Sequence, residues 1–127
     1  MAPVVHLDTH VAAWLYLGDL KRLKPVWKTL ERSALIISPI VLLELQYLYE
    51  IGRATEPAEV VMTDLFDRVG LCLSDAPFSQ IMQQALRQTW TRDPFDRLMV
   101  GNALVESRPL LTADKTILVH CRLARWR

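Results

Sequence analysis

Apolar and polar positions follow two rhythms along this chain, and the places where one gives way to the other mark its elements. "PVVHLD" is a short β-branched run ending at Asp8, after which "THVAAWLYL" takes helical spacing. Pro25 falls in the first turn of a second helix running through "VWKTLER". "ALIIS" is a second apolar strand. Ser38 then caps a helix that begins at Pro39, covers "PIVLLELQYLYEI" and stops at Gly52. Pro57 opens "PAEVVMTDLFDRV", which closes at Gly70. "LCLS" predicts a third strand, followed by a helix from about Phe78 to Trp90. In "RDPFDRLMVGNAL", Asp93 is the N-cap, Pro94 the first helical residue, and the helix runs to about Glu106. "LLT" is a fourth strand leading to Asp114, and "ILVHC" has the composition of a last edge strand.

Strands alternating with helices predict a parallel sheet covered on both faces. Ligand sites in such sheets lie beyond the carboxyl ends of the strands, at a topological switch point. The acids near those ends therefore carry the functional question. Asp8 ends the first strand and Asp114 lies just past the fourth. Glu44 interrupts "VLLELQY", a face otherwise made of Leu and Val, and Asp96 stands in the first turn of its helix. Each has a structural alternative: Asp8 or Asp114 as a cap or turn, Glu44 on a solvated helix face, Asp96 as a complement to the helix dipole. Brought together, four carboxylates would repel one another and raise one another's pKa unless a divalent cation neutralised them. Oxygen donors without His or Cys at ligand spacing point to Mg²⁺ or Mn²⁺ and not to zinc. His6, His10 and His120 fit surface or ordinary core roles better than ligation.

Composition sets the outer bounds. A chain of 127 residues with 51% in the hydrophobic class predicts one domain, 1–127, with a core that needs no metal or disulfide staple. The formal net charge of +1 demands no polyanionic partner, and the bases of "DLKRLKPVWKTLER" read as a solvated helix face. Cys72 and Cys121 match no metal spacing, and Cys72 reads as a small core hydrophobe on a strand. The most apolar run, "ALIISPIVLLELQYLY", is broken by Pro39 and Glu44 and falls short of the ~20 apolar residues a membrane span needs. These features fit a soluble cytoplasmic protein.

"LDTH", "SPIVLLEL", "RDPFDRLMVGNAL" and "LLTAD", in that order, resemble the PIN domain, specifically the VapC-type toxins of bacterial toxin–antitoxin pairs. The resemblance covers essentially the whole chain, and "DPFDRLM" followed by "LLTAD" is its most specific part. It implies a three-layer α/β/α sandwich with a central, mainly parallel sheet. It also implies an acidic pocket for Mg²⁺ or Mn²⁺ and endonucleolytic cleavage of RNA. Carried over motif by motif, the metal-binding and catalytic acids are Asp8, Glu44, Asp96 and Asp114. Thr9 and Thr112 match hydroxyl positions that orient a carboxylate or a water, and Asp93 matches the helix cap. Gly101 and Asn102 depart modestly from the small or Gln-like residues expected at the rim of the site. Arg92 and Arg97 are candidates for phosphate contact or for a salt bridge to a neighbouring acid. The family also implies a cognate antitoxin protein and a homodimer, with Trp14, Trp27, Tyr47 and Tyr49 as groove candidates.

Three other readings compete. A haloacid-dehalogenase-like phosphotransferase needs Asp-x-Asp after the first strand, where this chain has His10. A phosphoryl-accepting receiver needs an acid after a middle strand, and the second strand ends in Ser38. A non-catalytic PIN-like RNA- or partner-binding domain would be favoured by a missing acid, and all four are present.

Overall fold

The computed structural model describes residues 2–127. Five parallel strands form one sheet in the order β3-β2-β1-β4-β5: β1 Val4–Leu7, β2 Ala34–Ile37, β3 Cys72–Leu73, β4 Leu110–Leu111 and β5 Ala124–Arg125. His6 pairs with Ile36 on one side and Leu110 on the other, so β1 is the centre of the sheet. Successive strand residues point to opposite faces. His6 and Leu7 are both fully buried, as are Leu110 and Leu111, so helices cover both faces. This is the predicted α/β/α sandwich, and all four strand pairings are parallel.

The helices are α1 Thr9–Leu17, α2 Leu20–Leu23, α3 Trp27–Arg32, α4 Pro39–Glu50, α5 Ala58–Val69, α6 Phe78–Leu86, α7 Pro94–Glu106 and α8 Lys115–His120. Side-chain caps start several of them. Asp8, Ser38, Asp93 and Asp114 each accept a backbone N–H of the first turn of α1, α4, α7 and α8. Among the described residues no helix is long and apolar enough to cross a membrane.

Five expectations are corrected. "ILVHC" is helix α8 and not an edge strand. Asp114 caps it by accepting from the Thr116 and Ile117 amides, and the C-cap Cys121, whose amide donates to the Ile117 carbonyl, is buried as Ile117 is. The fifth strand lies further on, at Ala124–Arg125. The expected second helix opens with a 3₁₀ turn, Lys24–Val26, around Pro25 before α3, and an unexpected short helix, α2, precedes it. Helix α6 ends at Leu86 instead of Trp90, where Arg97 donates from Nε to the Ala85 carbonyl and from a terminal nitrogen to Leu86. Cys72 is exposed, because β3 is an edge strand. Gly101 and Asn102 are buried within the packing of α7, away from any rim.

Behind that helix lies a polar cluster that explains His6. The Glu106 Oε1 atom lies 2.6 Å from His6 Nε2 and accepts from Ser74 Oγ at 2.9 Å and Asn102 Nδ2 at 3.2 Å. Burial lowers the pKa of His6 despite Glu106, so the imidazole is neutral at pH 7 and donates from Nε2. This is the ordinary core role expected of that histidine, and it fastens the last turn of α7 to the middle of the sheet.

Candidate active site

The chain runs β1, β2, β3 outward on one side and then returns to place β4 and β5 on the other, so β1 and β4 flank the switch point. The acids that follow these two strands meet there. Asp8 is buried. Its Oδ1 accepts from the His10 amide at 2.8 Å and its Oδ2 from the Thr112 hydroxyl at 2.5 Å. Asp114 is exposed and its Oδ1 is occupied by capping α8. The Asp8 amide also donates to the Leu111 carbonyl, so the ends of β1 and β4 are tied through both backbone and side chain.

Glu44 and Asp96 arrive from α4 and α7. The Glu44 Oε1 atom accepts from the Thr9 hydroxyl at 2.5 Å, which anchors α4 to the first turn of α1. Tyr47 and Phe95 are in contact, with ring centroids 5.8 Å apart, and tie α4 to α7 one turn from Glu44 and next to Asp96. Asp96 accepts no side-chain hydrogen bond among the described residues. Burial pushes its pKa up to about 7, with Asp93, Asp8, Glu44 and Asp114 adding to the shift in that order. Burial likewise raises Glu44; the Thr9 hydroxyl opposes this, and Asp8 and Asp93 reinforce it. The four predicted acids therefore share one electrostatic environment.

Asp93 is the cap expected of it: its Oδ1 accepts from the Phe95 and Asp96 amides at 2.8 and 3.2 Å. It also adds a fifth negative charge to the cluster, which its capping role alone did not suggest. His10 belongs to the site as well. Its Nδ1 lies 3.6 Å from Asp8 Oδ1, and contact with that carboxylate raises its pKa. The signal for it was position: two residues beyond a strand end that carries an acid. Thr9 and Thr112 donate their hydroxyls to Glu44 and Asp8. The two arginines do not join them. Arg97 caps α6, and Arg92 donates to the Thr89 carbonyl, so neither faces an acid.

The donor set is entirely carboxylate oxygen, which suits a hard divalent cation. Glu44 Oε2, Asp114 Oδ2 and both Asp96 oxygens take no hydrogen bond from the protein among the described residues. No three His, Cys, Asp or Glu side chains among these residues stand close enough to enclose an ion by themselves.

No curated protein sequence matches the chain. In fold it is similar to VapBC2 from Rickettsia felis, solved bound to a DNA fragment from the promoter: TM-score 0.67, 16% identity, 96% of this chain and 97% of that one covered. It is similar to DNA-bound VapBC from Salmonella typhimurium at TM-score 0.65 and 20% identity, over 98% and 96% of the two chains. PAE2754 from Pyrobaculum aerophilum aligns at TM-score 0.62 and 18% identity, over 98% and 90%. The family model described as PIN domain matches residues 5–123, a span that includes all four acids, and the chain belongs to the PIN domain family.

Proposed function

We propose that the chain is a Mg²⁺- or Mn²⁺-dependent endoribonuclease, the toxin of a toxin–antitoxin pair, hydrolysing RNA phosphodiester bonds at Asp8, Glu44, Asp96 and Asp114. The observation that carries this reading is Asp96. A half-buried carboxylate with no donor of its own, surrounded by other acids, calls for a cation as its partner. Asp8, Asp96 and Asp114 would hold the ion directly or through water, with Glu44 beside them. When bound, the ion supplies charge neutralisation at the phosphate and lowers the pKa of an attacking water.

The side chains supply the rest. Thr112 and the His10 amide fix both Asp8 oxygens, so that carboxylate keeps one orientation. Thr9 holds Glu44 by Oε1. Glu44 Oε2, which accepts no hydrogen bond from the protein, is left to take a proton from water.

The toxin reading is supported by the fold shared with the VapBC structures. By that analogy the partners are an antitoxin protein and a second copy of the chain. Leu43 and Tyr47, exposed on α4 on either side of Glu44, offer apolar surface for such a partner. A non-catalytic RNA- or partner-binding role is the second reading, and the open spacing of the acids favours it. One experiment separates the two: digestion of total RNA, with mapping of product ends, in Mg²⁺ or Mn²⁺ and in excess chelator. Discrete cuts with metal and none with chelator are expected. Cutting that persists in chelator would overturn the mechanism, and no cutting in either would leave the binding role.

A further inference from the structure

A cavity of about 290 Å³ opens between α1, α2, α4 and the loop that joins α4 to α5. Leu45 and Leu48 give it apolar walls, and Thr55 and Glu56 put polar groups on the loop side. His10 also lines it and thus borders both the cavity and the Asp8 carboxylate.

Arg53 lines the same cavity and is fixed there by its backbone. Gly52 takes φ +78, a conformation that suits glycine, and turns the chain so that the Arg53 amide donates to the Leu48 carbonyl at 2.8 Å. The Arg53 side chain is exposed and makes no hydrogen bond or ion pair among the described residues. Arg22, the other arginine lining this cavity, is paired with Asp19 and lies over the Trp14 ring.

A cluster of carboxylates repels a polyanion, so a substrate phosphate chain needs a cation close by. A nucleotide also brings a flat apolar face and polar edges within one residue of that phosphate. We propose that this cavity is a nucleotide subsite for single-stranded RNA: it seats the base next to the scissile phosphate, and Arg53 holds that nucleotide's phosphate. This rests on the RNA reading above. The single side chain of His10 between the cavity and Asp8 favours RNA as the occupant over a peptide, because it puts the cavity within one nucleotide of a phosphate reacting at Asp8.

The test reads binding instead of cleavage, with the full chain carrying Asp96→Asn, in Mg²⁺. The probe is a fluorescein-labelled single-stranded RNA pool of random sequence, titrated over a range of salt. Adding Arg53→Gln is expected to weaken binding about tenfold at low salt and to reduce the slope of log affinity against log salt by about 0.7. Adding Thr55→Trp, which fills the cavity from an exposed loop position, is expected to weaken binding several-fold with the slope unchanged. If the Asp96→Asn protein binds RNA and neither change alters it, the subsite is overturned and the RNA reading stands. If it binds no RNA, the RNA reading falls and the subsite with it.

Discussion

Asp96→Asn is expected to cut metal-dependent RNA cleavage by roughly 10²–10³ while raising the melting temperature of the metal-free protein above pH 7. An amide is a poor ligand for a hard cation and brings no charge, so the site loses its central carboxylate. Stability moves the other way because that carboxylate is held half-buried among Asp93, Asp8, Glu44 and Asp114 with no hydrogen-bond donor. Asp96 also stands in the first turn of α7, where its charge complements the helix dipole by ~0.3–1 kcal/mol. Repulsion from several acids in a partly desolvated setting outweighs that gain. A net relief of about 1 kcal/mol corresponds to a rise of roughly 2–5 °C in a chain of this size. Asp93→Asn is the control. Asn caps a helix about as well as Asp, so melting and cleavage are both expected to change little. An active Asp96→Asn, or one that melts well below Asp93→Asn, would reverse the two assignments.

The same argument fixes a pH dependence. In the unfolded chain Asp96 titrates near its ordinary value of 3.8, and in the folded chain at about 7. Between these values the folded state binds the extra proton, so stability falls as pH rises through the window and levels off above it. Glu44 is shifted in the same direction and adds to the slope. Metal-free wild type should therefore melt progressively lower from about pH 4 to pH 7. The Asp96→Asn curve should be flatter and should meet the wild-type curve at the acid end. Parallel curves for the two proteins would mean that Asp96 titrates as an ordinary carboxylate.

The elements carrying the site were legible because local rules and tertiary demands agree there. Asp93-Pro94 reads as cap and first turn, and Ser38-Pro39 does the same for α4. The four acids were legible only as a set, since each sits where a cap or a surface charge would also sit. What failed were segments whose local signals conflict with packing. "ILVHC" is β-branched and apolar, yet the Asp114 cap and the bond from the Cys121 amide to the Ile117 carbonyl make it a helix. Helix α6 stops early because Arg97, eleven residues beyond Leu86, supplies the hydrogen bond that ends it. The fields of Asp8, Glu44 and Asp114 at Asp96 depend on how four helices converge. No single stretch of sequence contains that convergence.

Gly101→Ala should give the opposite pattern to Asp96→Asn, with stability lost and the chemistry retained. A Cβ at Gly101 would lie 2.8 Å from the Ile81 carbonyl oxygen and 3.1 Å from the Ala85 amide nitrogen, both in the backbone of α6. Backbone atoms cannot swing aside as a flexible side chain does, so α6 and α7 must separate. Overpacking of this kind costs ~1–3 kcal/mol, and separating the helices also strains the bonds from Arg97 to Ala85 and Leu86. Alanine returns up to ~1 kcal/mol as a better helix former than glycine, which is too little to compensate. The expected result is a melting temperature lower by roughly 4–10 °C. Asp96 lies one turn and a half nearer the start of α7, where the Asp93 cap and the contact of Phe95 with Tyr47 hold it independently of the α6 contact. Below the melting transition, metal-dependent cleavage should thus stay within several-fold of wild type. A Gly101→Ala protein as stable as the wild type would mean that α6 and α7 do not pack at backbone contact. One that is stable but inactive would mean that this packing sets the position of Asp96.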